Sequence, residues 1–387
     1  MQNRPVLNQN LSSLGSTIFS QMSALAARTQ ALNLGQGAPD TDGPAEIVDA
    51  AVAAMRDGNG NQYPPSAGVP PLREAIAEHQ RRFYGMEYDP ATEVLVTSGA
   101  TEAIAATALA MLEPGDEVIA FEPYYDSYTA TATMARARLV PVTLRAPDFR
   151  PDLDALADAV TPRTRMLLIN TPHNPTGMVL TDAESARIAQ IAVDNDLLVM
   201  TDEVYEHLVF DGRHRPLASY PGMRDRTITI SSAGKTFSFT GWKIGWIVAD
   251  RALVSAAATA KQYLTFTSGG PLQHGIAHAL RMPDSYFDKF RSDLERKRDL
   301  FCGGLREAGF DVFVPQGTYF ASIDIGDAYG GDGFEYCLSL PERCGVVAVP
   351  NAVFYDNEEY GRSHVRFAFC KREEVLTEAV ARLKTLM

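Results

Sequence analysis

The sequence predicts an α/β protein: a large domain built on a mostly parallel seven-stranded sheet, followed by a smaller α+β domain. Three observations carry this. Between about residues 92 and 250, seven short apolar runs recur, bounded by polar or glycine-rich turns. Helical patterns fill several of the intervals, as a parallel sheet requires, because its strands are joined by crossovers rather than tight turns. Beyond residue 284 the order changes to one long amphipathic segment, a few short strands and a closing helix.

Taken in order, residues 1–44 hold few strand signals and are expected to form an arm belonging to the smaller domain or packing on another subunit. Residues 45–283 form the large domain. Its runs are "EVLVTSG", "DEVIAFEP", "ARLVPVTL", "RMLLINTP", "LLVMTDEVY", "RTITISS" and "IGWIVAD". Between them "TEAIAATALAML" and "DAESARIAQIAVDND" read as helices. The second is entered by Thr181 and Asp182 as capping candidates, with Glu184 in the first turn. Residues 284–387 form the smaller domain: "PDSYFDKFRSDLERKRDLFCGGLREAGF" as a long helix, the strands "YFASIDI", "GVVAVP" and "HVRFAF", and the helix "KREEVLTEAVARLKTLM".

Composition narrows the function. With 387 residues, 45% hydrophobic and 21% charged, the chain is long enough for two domains of ordinary globular composition. A formal charge of −13, scattered rather than in blocks, argues against nucleic acid and against anionic membrane surfaces, and leaves small molecules as partners. Four cysteines without a CxxC or a histidine at metal-ligand spacing read as reduced thiols, which points to the cytoplasm. No segment has the apolar stretch of a signal peptide or approaches the ~18 apolar residues of a membrane span.

In a doubly wound sheet, ligands bind in the crevice beyond the carboxyl ends of the strands. The unusual residues of this chain cluster there: Ser98-Gly99-Ala100-Thr101, Tyr124-Tyr125, Asn170 to Asn174, Asp202 to Tyr205, and Ser231 to Lys235. Lys235 leaves its strand among small residues with no acid nearby. It is either a solvated surface charge or an amine held for Schiff-base chemistry, with Lys243 as the second cation that eases its deprotonation. Asp202 follows an apolar strand, where it either caps a helix or pairs with a protonated ring nitrogen, and Tyr205 could bond a hydroxyl on the same ring. Gly99, Ala100 and Thr101 open a helix and offer N–H groups to an anion, with Ser232 and Lys243 beside them. Asn170 and Asn174, stiffened by Pro172 and Pro175, are turn residues or neutral donors to a ring hydroxyl. Tyr125 is core or stacks on a flat ring. Arg366 alternates with apolar neighbours on its strand. Facing inward it would clamp a carboxylate, and facing outward it would be solvated.

The serial order "NLGQGAPD", "NQYPPSAG", "VTSGATEA", "EPYYDSY", "NTPHNPTG", "TDEVY", "SSAGKTFSFTGWKIGW", "GTYF", "HVRFAF" resembles the class I and II aminotransferases, which are pyridoxal-phosphate enzymes of fold type I, over nearly the whole chain. The resemblance implies that Lys235 binds the cofactor covalently and acts as the catalytic base. It implies that Ser232, Lys243 and the Gly99–Thr101 turn hold its phosphate, that Asp202 meets the pyridinium nitrogen, and that Tyr205 and Asn174 meet the ring hydroxyl while Tyr125 stacks on the ring. Arg366 and Asn170 would bind the substrate α-carboxylate near the Gly37 backbone. Tyr63 would reach the phosphate of a neighbouring subunit, which implies a homodimer acting on amino acids and 2-oxo acids. Within the family the chain is similar to the subgroup of kynurenine, glutamine and methionine aminotransferases and cysteine-conjugate β-lyases. "NQYPPSAGVPPLREAIA", "EPYYDSY" and "VRFAFCKR" further resemble actinobacterial aminotransferases acting on N-succinyl-diaminopimelate in lysine biosynthesis. One departure is that the kynurenine enzymes carry a Trp in the N-terminal arm, whereas "LGSTIFSQM" has none. A carbon–sulfur β-lyase shares the same α-carbon chemistry. A ligand-sensing regulator would need a DNA-binding domain, for which the roughly forty residues ahead of the sheet domain have neither the length nor the charge.

Overall fold

The computed structural model describes residues 6–12, 14–15, 17–58 and 60–386. The arm contributes helix α1 (Ile18–Thr29) and a two-residue strand β1 (Leu32–Asn33), after which come α2 (Ala45–Arg56) and α3 (Pro70–Tyr84). The seven expected runs all form strands: β2 (Val94–Ser98), β3 (Glu117–Glu122), β4 (Arg138–Thr143), β5 (Thr164–Asn170), β6 (Leu198–Asp202), β7 (Thr227–Ser232) and β8 (Ile244–Val248). Threaded between and after them are α4 (Gly99–Met111), α5 (Ser127–Met134), α6 (Leu153–Asp158), α7 (Asp182–Asp194), α8 (Ala233–Thr236), α9 (Arg251–Leu264) and α10 (Gly270–Leu280).

These strands make one sheet in the order β2-β8-β7-β6-β5-β3-β4. The pairs among β7, β6, β5, β3 and β4 are parallel, while β8 runs antiparallel to both of its neighbours. Alternation along each strand feeds two apolar layers. Met166 and Leu168 of β5 join Val118, Ala120 and Met200 in one, and Leu167 and Ile169 join Ile119, Phe121 and Val199 in the other. Both faces are covered by helices, so the strands carry no solvent-facing polar row. Each fully buried Leu or Ile in these layers contributes about 1.5–3 kcal/mol. Helix α7 begins as expected: Thr181 caps Glu184 N and Glu184 returns to Thr181 N, whereas Asp182 accepts from the Tyr220 hydroxyl.

The rest of the chain builds a second sheet. Helix α11 (Asp284–Glu307) leads to β9 (Asp311–Phe313) and β10 (Phe320–Asp324), then α12 (Gly333–Cys344), β11 (Val346–Val347), β12 (Val349–Pro350), β13 (His364–Ala368) and α13 (Glu373–Leu383). The four-stranded order is β12-β13-β10-β9. "GVVAVP", expected as one strand, is two. Val346–Val347 pair in parallel with Leu32–Asn33 of the arm, Ala348 breaks the run, and Val349–Pro350 turn to pair with β13. The arm therefore supplies a strand that its sequence pattern did not signal, and α1 packs Ile18, Met22 and Ala26 against Val347, Val349 and Phe354. Among the described residues no helix is long and apolar enough to cross a membrane.

Candidate active site

Register explains how distant residues meet. Asn170 and Asp202 are the last residues of adjacent strands and face each other across the ladder. Ser98 pairs with Ile244 and Ser232 with Gly245. Because β8 runs the other way, its beginning lies at the edge where the parallel strands end, so Lys243, immediately before it, joins Ser232 and the start of α4. Lys243 sits in the left-handed region (φ 53°), a conformation that costs a non-glycine residue about 1–2 kcal/mol and is retained where its surroundings enforce it.

At this edge opens a cavity of about 500 Å³, a size suited to a small cofactor with its substrate. Gly37, Gly99, Ala100, Thr101, Tyr125, Asn170, Asn174, Asp202, Tyr205, Ser232, Lys235, Lys243 and Arg366 all line it. Tyr63 does not: it is 85% exposed elsewhere on the surface, with its ring edge-on to Phe266 at 5.6 Å.

Helix α4 points its N-terminus into the cavity. A Cβ built on Gly99, whose φ is +73°, would lie 3.0 Å from Lys243 Nζ, and one on Gly245 would lie 2.5 Å from the Gly99 carbonyl carbon. Only glycine lets the helix start, the lysine and the strand approach this closely. The result is an anion cradle of helix N–H groups, an ammonium and the Ser232 hydroxyl.

Asp202 is buried, and that burial pushes its carboxyl above the ordinary range against the opposing effects of Tyr128, the Val204 amide and Lys235. Its Oδ2 accepts from the Tyr128 hydroxyl at 2.7 Å. No cation of the described residues lies within ion-pair distance of it, so its charge, when present, is uncompensated by a neighbouring ion. Tyr128 was not singled out from the sequence, although "EPYYDSY" places it three residues beyond Tyr125, one helical turn on.

Lys235 Nζ stands 5.8 Å from the ring centroids of both Tyr205 and Tyr319. Desolvation lowers its pKa, and Arg366 and Lys243 lower it further, against the pull of Cys370 and Asp202. The amine is thereby easier to hold neutral, as a nucleophile or base must be.

Arg366 faces inward and is 1% exposed. It donates to Asn174 Oδ1 at 2.9 Å and to the Gly35 carbonyl at 3.1 Å, and its Nε has no partner. Phe320, Phe354 and Phe19 surround the guanidinium, and its burial drops its pKa to about 10. Among the described residues no acid lies within ion-pair distance, so a carboxylate entering the cavity would complete it. Asn170 lines the cavity with its side chain partly engaged: Nδ2 donates to the Asp202 carbonyl and Oδ1 accepts from Asn174 N, which also orients Asn174. Gly37 is held by its carbonyl, which accepts from Tyr319 at 2.8 Å, and a Cβ there would meet the Phe320 ring at 2.5 Å. The arm has no Trp, yet its Phe19 reaches the cavity with its ring 6.2 Å from that of Tyr125.

The model of the aminotransferase class I and II family matches residues 29–383. The probable N-succinyldiaminopimelate aminotransferase of Mycobacterium tuberculosis is 51% identical over 382 residues, 96% of each chain. The solved structure of the N-succinyldiaminopimelate aminotransferase of that organism superposes with a TM-score of 0.95 over 98% of this chain and 100% of its own. The methionine aminotransferase of Escherichia coli is 38% identical over 388 residues, 100% of both chains. A kynurenine–oxoglutarate transaminase of Dictyostelium discoideum is 34% identical over 96% of this chain and 94% of its own.

Proposed function

The chain belongs to the class I and II aminotransferase family, and from that premise we propose that it exchanges an amino group between N-succinyl-diaminopimelate and 2-oxoglutarate. The observation that carries the substrate is the 51% identity across 96% of both chains to the mycobacterial enzyme, against 38% to the methionine enzyme. Enzymes of this family use pyridoxal phosphate, and the cavity fits it: a glycine-lined anion cradle at one end, an uncompensated buried acid in the middle and a desolvated lysine beside it.

In this reading Lys243, Ser232 and the N–H groups of Gly99, Ala100 and Thr101 hold the phosphate. Asp202, steadied by Tyr128, keeps the ring nitrogen protonated, Tyr205 and Asn174 hold the ring hydroxyl, and Tyr125 stacks on the ring. Bound there, pyridoxal phosphate would supply an electrophilic aldehyde for the amine and a ring able to take up the electrons released at the α-carbon. Arg366 grips the α-carboxylate in a fork, with Asn170 fixing Asn174 and Gly37 closing from the small-domain side. That grip aims the α-hydrogen at Lys235 Nζ, which takes the proton as a neutral amine and returns it to complete the exchange. Exposed Tyr63 serves the phosphate of a second copy, so the working unit is a homodimer. The division into arm (1–44), large domain (45–283) and small domain (284–387) belongs to the same proposal, as does a cytoplasmic location, in keeping with free cysteines at 302, 337, 344 and 370.

A second reading has its own support. Lys235, Lys243 and Arg366 are the cations among the described residues lining the cavity, and each already has a task. With Phe19 and Phe320 also present, a neutral amino-acid side chain such as that of methionine, glutamine or kynurenine fits one protomer's wall without a further charge, and so does a cysteine conjugate undergoing β-elimination. The experiment is a half-reaction: holoenzyme mixed with single amino donors, following loss of the bound cofactor's visible absorbance. Fast conversion by N-succinyl-diaminopimelate and glutamate supports the first reading. Fast conversion by methionine, glutamine or kynurenine with the succinylated compound inert replaces it with the second, and pyruvate formed from a cysteine conjugate without any 2-oxo acid would identify a lyase.

A further inference from the structure

Lys261, on α9 and outside the cavity, is 2% exposed, and a lysine is rarely buried so fully without a task. Its ammonium has no carboxylate within ion-pair distance among the described residues and is spent on two carbonyls. It donates to Ser66 O at 2.5 Å and to Phe266 O at 2.7 Å. Those carbonyls belong to two separate loops, one carrying Tyr63-Pro64-Pro65-Ser66 and the other Thr265-Phe266-Thr267. The loops meet at their tips, where the rings of Tyr63 and Phe266 pack edge to face on the surface. Phe266 is itself held at φ +60°, and its N–H donates back to the Lys261 carbonyl. That strained conformation persists because the lysine anchors it from both its backbone and its side chain.

A second tie runs back toward the anion cradle. Glu102, in the first turn of α4, accepts from Ser98 N at 2.5 Å and from the Thr265 hydroxyl at 2.5 Å. Both carboxylate oxygens are thus occupied one turn beyond the phosphate-facing N–H groups, and the charge of Glu102 offsets part of the cost of burying Lys261. Burial of this kind, with every acceptor supplied by loop backbone, fixes positions rather than performing chemistry.

We propose that Lys261 is a positioning residue: by clamping Ser66 and Phe266 it presents the Tyr63–Phe266 pair in the one geometry that completes the cofactor site of a neighbouring protomer. This rests on the reading above, in which Tyr63 serves a second copy. The effect of losing Lys261 must then appear in the partner's site and not in its own.

The test is a complementation between two defects. Lys261→Met as a homodimeric holoenzyme is expected to lose cofactor on dialysis about tenfold faster than wild type and to raise the KM for its amino donor, with kcat at saturating cofactor changed less than threefold. Co-purified heterodimers of Lys261→Met with Lys235→Ala are then measured. Their working site keeps Lys235 and receives Tyr63 and Phe266 from the subunit whose Lys261 is intact, so wild-type KM and cofactor retention return at about half the turnover per dimer. A heterodimer as defective as the Lys261→Met homodimer overturns the proposal, because the lysine would then act only within its own subunit. Should Lys261→Met not fold, Thr265→Val, which removes only the hydroxyl bond to Glu102, enters the same scheme with the same two outcomes. If wild-type protein converts no amino donor at all, the aminotransferase reading fails instead, and the cofactor-retention measurement still decides the fate of the lysine.

Discussion

The segment from Asp202 to His207 divides two polar clusters that use the same residue types to opposite ends. Asp202 and Tyr205 stand at the cavity. Glu203, Glu206 and His207 instead join a closed group: Glu203 pairs with His214 at 2.6 Å, Glu206 accepts from Ser231 at 2.6 Å and Tyr84 at 2.5 Å, and His207 shares a hydrogen bond with His79 across 2.7 Å. Burial pushes the pKa of His79 down and that of His207 to about 3, so both imidazoles are neutral and one donates to the other. His79, Glu206 and His207 bring ligand atoms within 4.8 Å of one another, a spacing that could hold a metal. Both Nε2 atoms and both Glu206 oxygens, however, are already engaged with one another or with hydroxyls, and the two nitrogens at 2.7 Å are closer than the ~3.3 Å that two ligands of a tetrahedral zinc would keep at ~2.0 Å each. Among the fully buried atoms of the closed group, His79 Nδ1 and Glu203 Oε1 go without a partner. At the cavity the capacity left over is larger and chemical: an acid without a cation, an arginine without an acid, a lysine partly stripped of water. Pairing within the protein marks structure, and capacity left for an absent partner marks function.

Substitutions sharpen that contrast, beginning with the largest effect. On the proposed mechanism Lys235→Ala removes the group that transfers the α-proton, and turnover should fall by about 10⁴-fold, the upper end of what one positioned acid–base group contributes. Rapid-mixing of the purified variant with amino donor reads this, and wild-type turnover would sink the site assignment. Arg366→Lys comes next. It keeps the charge but loses the planar fork that reaches Gly35 O, Asn174 Oδ1 and a carboxylate together. Losing one or two charged hydrogen bonds at about 1.5–3 kcal/mol each should raise KM for the amino donor by ~10²-fold with kcat less affected. A KM unchanged from wild type would mean the carboxylate binds elsewhere.

Tyr128→Phe tests the seam between the two kinds of region, since its hydroxyl is a structural bond made to a functional acid. A hydrogen bond to a carboxylate nets about 1.5–3 kcal/mol, so kcat/KM should fall by ~10- to ~10²-fold. The sign of the pH effect is more telling. Tyr128 lowers the Asp202 pKa against the effect of burial. Its loss raises that pKa, so the acid limb of the pH–rate profile moves to higher pH. An acid limb that stays in place would detach Asp202 from the rate.

Much of this was legible in the residue order, and what was not has a physical reason. The seven strands were readable because each parallel strand is buried on both faces and so is an unbroken apolar run. The cavity residues were readable because strand ends in such a sheet converge. Arg366 was ambiguous, since alternation on a strand says that neighbours face opposite ways and not which way is inward. Tyr128 and Phe19 carry no sequence signal of their place, because an aromatic on a helix is core by default, and only packing reveals what its edge touches. The splitting of "GVVAVP" was hidden because its cause is Leu32–Asn33, more than three hundred residues earlier in the chain. Lys261 gave no sign at all: on an amphipathic helix its position reads like any surface lysine.

The smallest effect on turnover, and the most direct attempt to break the comparison, is His214→Ala. If the closed cluster is purely structural, the variant keeps kcat and KM within about twofold while losing stability. Burial alone would lower the His214 pKa, but the charge of Glu203 and the hydrogen bond to it raise it above its ordinary value. A group whose pKa is higher folded than unfolded stabilises fully below its unfolded pKa and loses that contribution as pH rises through the folded one. Removing one partner of a buried ion pair costs about 3–5 kcal/mol, because the other charge stays behind unpaired. The melting temperature of the variant should therefore lie well below that of wild type near pH 6, and the gap should narrow as pH rises through the raised folded-state pKa of wild-type His214, where its imidazole loses its charge. A gap that widens toward alkaline pH would contradict the ionised pair. A loss of turnover at unchanged stability would show that the closed cluster communicates with Lys235 through β7, and the division drawn at Asp202 would then be one of degree.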